Sequence, residues 1–112
     1  MSRRYRIIWT EVAIADVEGI VDYVAERDSA PAAERLWNKL DTTIGSLATA
    51  PTRGRIVPEL RSEGLETYRE VIVNKYRVLF RVRGRQVVLL GVLDGRRDLA
   101  ELLIQRSMGD IW

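Results

Sequence analysis

The stretch TYREVIVNKYRVLFRVRGRQVVLLGVLD, residues 67–94, decides how this chain folds. Its period is two. Tyr68-Arg69-Glu70-Val71-Ile72-Val73 is rich in β-branched and aromatic residues and reads as a strand. Asn74-Lys75 makes a tight turn, because asparagine tolerates the positive φ that two-residue hairpins need. In the next strand Tyr76, Val78, Phe80 and Val82 share one face. Arg77, Leu79, Arg81 and Arg83 share the other, since successive side chains alternate. Gly84, with Arg83 or Arg85, closes a second hairpin. Val87-Val88-Leu89-Leu90-Gly91-Val92-Leu93 is nearly all apolar, the pattern of a central strand covered on both faces. Asp94-Gly95 breaks it.

Upstream of this stretch the period is helical. Ala13, Val17, Ile20 and Val24 recur at helical spacing, after a candidate N-cap at Thr10 with Glu11 in the first turn. Asp28-Ser29-Ala30-Pro31 interrupts the pattern. Ser29 or Ala30 would cap a second helix with Pro31 in its first turn, where a missing N–H costs little. Leu36, Leu40, Ile44 and Leu47 form its apolar stripe, and it should stop before Pro51. Two amphipathic helices with a short polar connection read as an antiparallel hairpin. Arg4 to Trp9 is a first short strand, Ile56 to Leu65 is irregular, and Leu99, Leu102 and Leu103 mark a final short helix. The order β-α-α-β-β-β-α is an α+β fold: a helical hairpin on one face of a small, mainly antiparallel sheet. The other face is expected to be curved and partly basic.

At 112 residues, 46% of them hydrophobic, the chain suits one domain, residues 1–112, with one small core. The apolar run near the N-terminus is too short for a signal peptide, and nothing approaches a membrane span. A small soluble cytoplasmic domain is therefore expected. There is no cysteine and no histidine. That excludes disulfides, a thiolate nucleophile, a Cys/His zinc site, a Ser-His-Asp triad and any imidazole proton carrier. No metal or cofactor is expected.

The net charge of +2 conceals an asymmetry. Residues 1–52 hold 6 basic and 8 acidic side chains, whereas residues 53–112 hold 12 basic and 8 acidic. Sixteen of the 18 basic residues are arginine; the exceptions are Lys39 and Lys75. Arg77, Arg81 and Arg83 fall in one row on a strand, about 7 Å apart per two-residue step. Arg69 lies nearby or across from it, and Arg53 and Arg55 stand in the turn before. Such a patch suits a charged partner, or else solvates an open sheet face. Pairing with an arginine is the default role for Glu70. Packing is the default for Trp9 and Trp37, core for Tyr76, and a helix cap for Asp98. Ile111 and Trp112 are apolar at the very end.

Four local motifs in this order resemble the RelE/ParE superfamily of bacterial type II toxins, also described as plasmid stabilisation proteins. They are Pro51-Thr52-Arg53-Gly54-Arg55, Tyr68-Arg69-Glu70, Lys75-Tyr76-Arg77 and Leu93-Asp94-Gly95-Arg96-Arg97-Asp98-Leu99. The likeness runs from Tyr5 to about Arg106. It implies a growth-arresting toxin neutralised by a cognate antitoxin, with which it would form a hetero-oligomer. The superfamily has two activities: RelE-like members cleave mRNA in the ribosomal A site, and ParE-like members act on DNA gyrase.

RNA cleavage needs a base, a charge to stabilise the phosphate and an acid. Arg69, Arg77, Arg81, Arg96 and Arg97 are candidates for phosphate contacts. The nuclease relatives usually add a tyrosine or histidine in the C-terminal segment. Here the tyrosines are Tyr5, Tyr23, Tyr68 and Tyr76, with none in residues 94–112. Arginine is a poor general base because it is always protonated. The resemblance therefore points to the ParE-like branch, a gyrase-binding inhibitor with no bond made or broken by its own side chains. Arg53, Arg55, Arg69, Arg77, Arg81, Arg83, Arg96 and Arg97 are the expected target or antitoxin surface. An mRNA interferase acting at the ribosome is the alternative, and a non-toxic nucleic-acid-binding module is a third reading.

Overall fold

The structure, a computed structural model, describes residues 4–62 and 64–95. Strand β1 (Arg6–Trp9) leads into helix α1 (Glu11–Arg27) and helix α2 (Ala30–Ser46). A 3-10 turn (Pro51–Arg53), strand β2 (Arg55–Ile56) and a one-turn helix α3 (Pro58–Arg61) follow. Strands β3 (Tyr68–Val73), β4 (Tyr76–Arg83) and β5 (Gln86–Asp94) complete the described chain. The sheet order is β1-β5-β4-β3-β2, with β1 parallel to β5 and every other pair antiparallel. This is the expected α+β arrangement of helical hairpin and mainly antiparallel sheet. The expected last helix, from Asp98 through Leu103, lies outside the described residues.

Local chemistry sets the elements. Thr10 and Ser29 cap α1 and α2 by accepting from the N–H of Ala13 at 3.2 Å and Ala32 at 3.1 Å. Asn74 holds a φ of 53° in the β3–β4 turn, and Gly84 holds 60° in the Gly84-Arg85 turn. The stripes of α1 and α2 bury Ala13, Val17, Leu36, Leu40, Ile44 and Leu47 on one sheet face. Val71, Val73, Tyr76, Val78, Phe80, Val87, Leu89 and Val92 meet them from the strands. Trp9 and Trp37 pack with ring centroids 6.2 Å apart, tilted by 43°. In the 3-10 turn, a Cβ at Gly54 would stand 2.5 Å from the Phe80 ring and 2.9 Å from the Glu70 carbonyl. Only glycine fits that close approach.

Two features depart from the sequence expectation. First, the run from Ile56 to Leu65 contains β2 and α3 and turns under the far side of the sheet. Val57 and Leu60 bury there against Leu79, Leu90 and Leu93, with Tyr68 and Val88 at the margin. The far face, expected to be partly basic, therefore also carries a second small core. This is what makes β5 buried on both sides, while β4 is the middle strand.

Second, β5 contains a bulge. Leu79 pairs with Gly91 but Phe80 pairs with Leu89, so Leu90 is an extra residue. The bulge places Leu89 and Val92 on the helix side and Leu90 and Leu93 on the other. Helix α1 serves the backbone groups on both sides of the bulge. Thr10 Oγ1 donates to the Leu89 carbonyl at 2.7 Å, and Asp16 Oδ2 accepts from Val92 N–H at 2.9 Å. A buried bulge with unmet polar groups would be costly, so these two side chains dock α1 on β5 in one register.

Candidate functional site: the arginines of β2, β3 and β4

The strand pairing sorts the candidate arginines by face, because residues directly opposite in an antiparallel pair point the same way. Arg81 lies opposite Tyr68 and Val88, and Arg77 opposite Ile72 and Leu93, all on the far face. Arg83 ends the same row and is exposed. Arg69 instead lies opposite Phe80, which belongs to the helix-side core. It stands on the helix side of the sheet, where its Nη1 donates to the Gly54 carbonyl at 2.7 Å. The expected row and Arg69 are thus not one surface.

Arg77 is buried, and each nitrogen of its guanidinium donates one hydrogen bond to a carboxylate. Nε donates to Glu70 Oε1 at 2.6 Å, while Nη1 and Nη2 reach the two oxygens of Glu59 at 2.5 and 2.7 Å. Glu70 is itself fully buried and accepts a second bond from Arg55 Nε at 2.7 Å. The default pairing expected for Glu70 holds, with two arginines rather than one. The chain Glu59–Arg77–Glu70–Arg55 clamps α3 and β2 to the underside of β3 and β4. Hydrogen bonding to Arg77 holds the Glu59 carboxyl below its usual range, against a smaller opposing push from burial. The Glu59 and Glu70 bonds hold Arg77 further toward its charged form.

Arg81 is different. It is half-buried, and its Nε is buried with no hydrogen-bond partner among the described residues. Arg53 and Arg55 are exposed and line an open cleft of about 500 Å³ with Thr42, Thr43, Ser46 and Ile72. Lys39 and Lys75, the only two lysines, meet at another cleft of about 300 Å³ beside Asn74. Arg96 and Arg97 lie outside the described residues, as do Asp98, Ile111 and Trp112. Tyr76 is buried in the main core, as its alternation implied.

Sequence reasoning missed Glu59 and Asp16. Glu59 had one legible signal: it is the acid between Pro58 and the apolar Leu60, in a segment short enough to fold back under the sheet. Asp16 had none, because its partner is a backbone N–H 76 residues away. Among the described residues no group of three or more His, Cys, Asp or Glu could hold a metal ion. None of the described helices is long and apolar enough to cross a membrane.

This sequence and this fold have known counterparts. The chain is 33% identical over 102 residues to Toxin ParE3 of Caulobacter vibrioides, covering 91% of this chain and 98% of that protein. It is 37% identical over 68 residues to Toxin RelE2 of the same organism, covering 61% of this chain and 68% of that one. The fold superposes on a chain of the chromosomal ParDE system of P. aeruginosa with a TM-score of 0.69 at 18% identity, covering 83% and 98% of the two chains. The family model described as the ParE toxin of the type II toxin–antitoxin system parDE matches residues 7–99. With a match over most of its length and a relative aligned nearly end to end, this chain belongs to the ParE toxin family, within the RelE/ParE superfamily.

Proposed function

We propose that this protein arrests growth by binding DNA gyrase and blocking replication, and that a cognate antitoxin neutralises it. One observation carries the reading. The best-placed guanidinium of the far-face row, Arg77, is held by Glu59 and Glu70, and Arg69 stands on the other face. The described surface therefore presents scattered cations and no convergent set around one phosphate. With no histidine in the chain, it also lacks an unpaired group suited to carry a proton near neutral pH. Such a surface supports recognition rather than bond cleavage. The action is then differential affinity: the toxin prefers one state of gyrase, the state with cleaved DNA, and holds it there. The antitoxin is a short acidic protein whose tail folds on the toxin. Both steps belong in the cytoplasm.

A second reading has its own support. Arg81 keeps a buried Nε with no hydrogen-bond partner among the described residues, and part of the chain is 37% identical to Toxin RelE2. On that reading Arg81 contacts the RNA phosphate in a ribosome-dependent cleavage.

Induced expression separates the two. Replication arrest and gyrase-dependent DNA breaks, with transcripts intact, are the expected result. Codon-positioned cuts in mRNA that vanish in Arg81→Ala would establish the second reading instead.

A further inference from the structure

Residues 4–10 and 76–93 contain no acidic side chain, yet they hold six arginines. Arg77 finds its carboxylates on α3 and β3. The other five, Arg4, Arg6, Arg81, Arg83 and Arg85, have no ion-pair partner among the described residues. Strand pairing gathers them toward one end of the sheet, where β1 and β5 start and β4 ends. Gln86 is in register with Arg6 on one side and with Arg83 on the other. Residues in register share a face, so Arg6 and Arg83 both stand on the far face, about 10 Å apart across two strand spacings of about 4.8 Å. Arg81 lies one two-residue step behind Arg83 on that face, about 7 Å away. Arg77, opposite Leu93, is at the other end of β5.

The backbone that carries these arginines is tied down. Arg6 N–H donates to the Arg85 carbonyl at 2.8 Å, and Tyr5 N–H to the Ala48 carbonyl at 2.7 Å. Gly84, at a φ of 60°, closes the turn between Arg83 and Arg85. Arg4, Arg6, Arg83 and Arg85 are exposed, whereas Arg81 is half-buried, with its buried Nε donating to no acceptor among the described residues. None of the large apolar side chains exposed among the described residues belongs to β1, β4, β5 or the turn joining β4 and β5. Protein partners anchor on aromatic and apolar groups buried at the centre of an interface, and single strands stack their bases on exposed rings. This end of the sheet offers neither. It offers guanidiniums on a rigid frame, the means by which proteins hold a phosphate backbone.

We propose that this end of the sheet binds the phosphate backbone of double-stranded DNA without reading its sequence. Arg6 and Arg83 take phosphates on either side of Gln86, and Arg4 and Arg85 extend the contact beyond the strand ends. The unpaired guanidiniums carry the assignment to phosphate. The choice of DNA rests on the reading above that the toxin acts on gyrase in its state with cleaved DNA, because a toxin docked there lies beside the duplex.

The test titrates the full-length chain into short fluorescently labelled duplexes of unrelated sequence and reads anisotropy across a range of salt. With four phosphate contacts the slope of log affinity against log salt is about −3.6, so affinity should fall about 150-fold from about 50 to about 200 mM salt, equally for every sequence. Arg6→Gln and Arg83→Gln should each make the slope shallower by about 0.9 while melting like wild type, and the triple variant Arg6→Gln/Arg83→Gln/Arg85→Gln should keep about one contact. Arg27→Gln removes the same charge in the last turn of α1, which adjoins the Asn74-Lys75 end of the sheet, and should leave the slope unchanged. Wild-type slopes in the Arg6 and Arg83 variants overturn the proposal, as does a lack of duplex binding at the lowest salt. Displacement of the duplex by polyglutamate at equal charge also overturns it and marks an acidic protein as the partner. Tighter binding to duplex RNA of the same length overturns the assignment to DNA. Gyrase is absent from every arm, so a negative result here leaves the gyrase reading to the induced DNA breaks, and intact DNA on induction removes that reading without altering these slopes.

Discussion

Replacing Arg77 by methionine tests whether the far-face row is a contact surface or part of the fold. The side chain keeps most of its length and loses its charge. Three hydrogen bonds disappear, one to Glu70 and two to Glu59. The two carboxylates then respond differently. The Glu59 side chain is 36% exposed and recovers water, so its loss is small. Glu70 is fully buried and, among the described residues, keeps only the ion pair with Arg55, whose side chain is 61% exposed.

Breaking a buried pair outright costs about 3–5 kcal/mol, and one charge-assisted bond about 1.5–3. With Arg55 still in place, the loss should be about 2–3 kcal/mol. For a domain of this size that lowers Tm by about 10 °C, taking about 4 °C per kcal/mol. The measurement is urea and thermal unfolding of the purified chain, followed by circular dichroism, with an unchanged m-value as the sign of an unaltered cooperative transition. The double variant Glu70→Gln/Arg77→Met should recover part of the loss, because it removes the stranded charge. If Arg77→Met loses toxicity while melting within 2 °C or so of wild type, the ion-pair reasoning is wrong, and Arg77 belongs to a contact surface.

The remaining predictions concern the bulge, the tight turn and acid. Asp16→Ala leaves the Val92 N–H without that acceptor beside the bulge and should cost about 1–3 kcal/mol in a denaturant titration, more than Glu18→Ala on the exposed side of the same helix. Gly54→Ala forces a methyl group against the Phe80 ring and the Glu70 carbonyl, and should lower stability by about 1–3 kcal/mol in the same titration. Glu59 has a folded pKa below its ordinary value of 4.5, so the stability it contributes is present above that value and lost as pH falls through the lower one. Glu59→Gln should therefore flatten the decline of Tm at acid pH, and an acid limb identical to wild type would contradict the Glu59–Arg77 bond.

Much of the fold was legible because its signals are local. The stripe Leu36, Leu40, Ile44 and the alternation Tyr76, Val78, Phe80 each follow from one element's own geometry, and the caps Thr10 and Ser29 act within three residues. The bulge was half-legible: Leu89-Leu90-Gly91-Val92 breaks strict alternation, but a wholly apolar strand conceals which residue is extra. The face of Arg69 was not legible. A residue's face on its own strand follows from parity, but which core that face meets depends on the pairing of β3 with β4. The role of Glu59 and the burial of Glu70 were lost for a related reason, since a charge in a sequence carries no sign of its burial.

The sequence by itself determined the element types, the helical hairpin, the two tight turns and the absence of any imidazole or thiol chemistry. Each depends on periodicity, backbone preference or composition, which act over a few residues. Only the tertiary structure decided that α3 packs on the far face, that Arg77 sits between Glu59 and Glu70, and that Arg69 stands on the helix side of the sheet. Those outcomes depend on where residues distant in the chain come to rest. Burial and strand pairing exist only after the chain has folded, and they convert one arginine into a structural clamp while leaving Arg53 exposed.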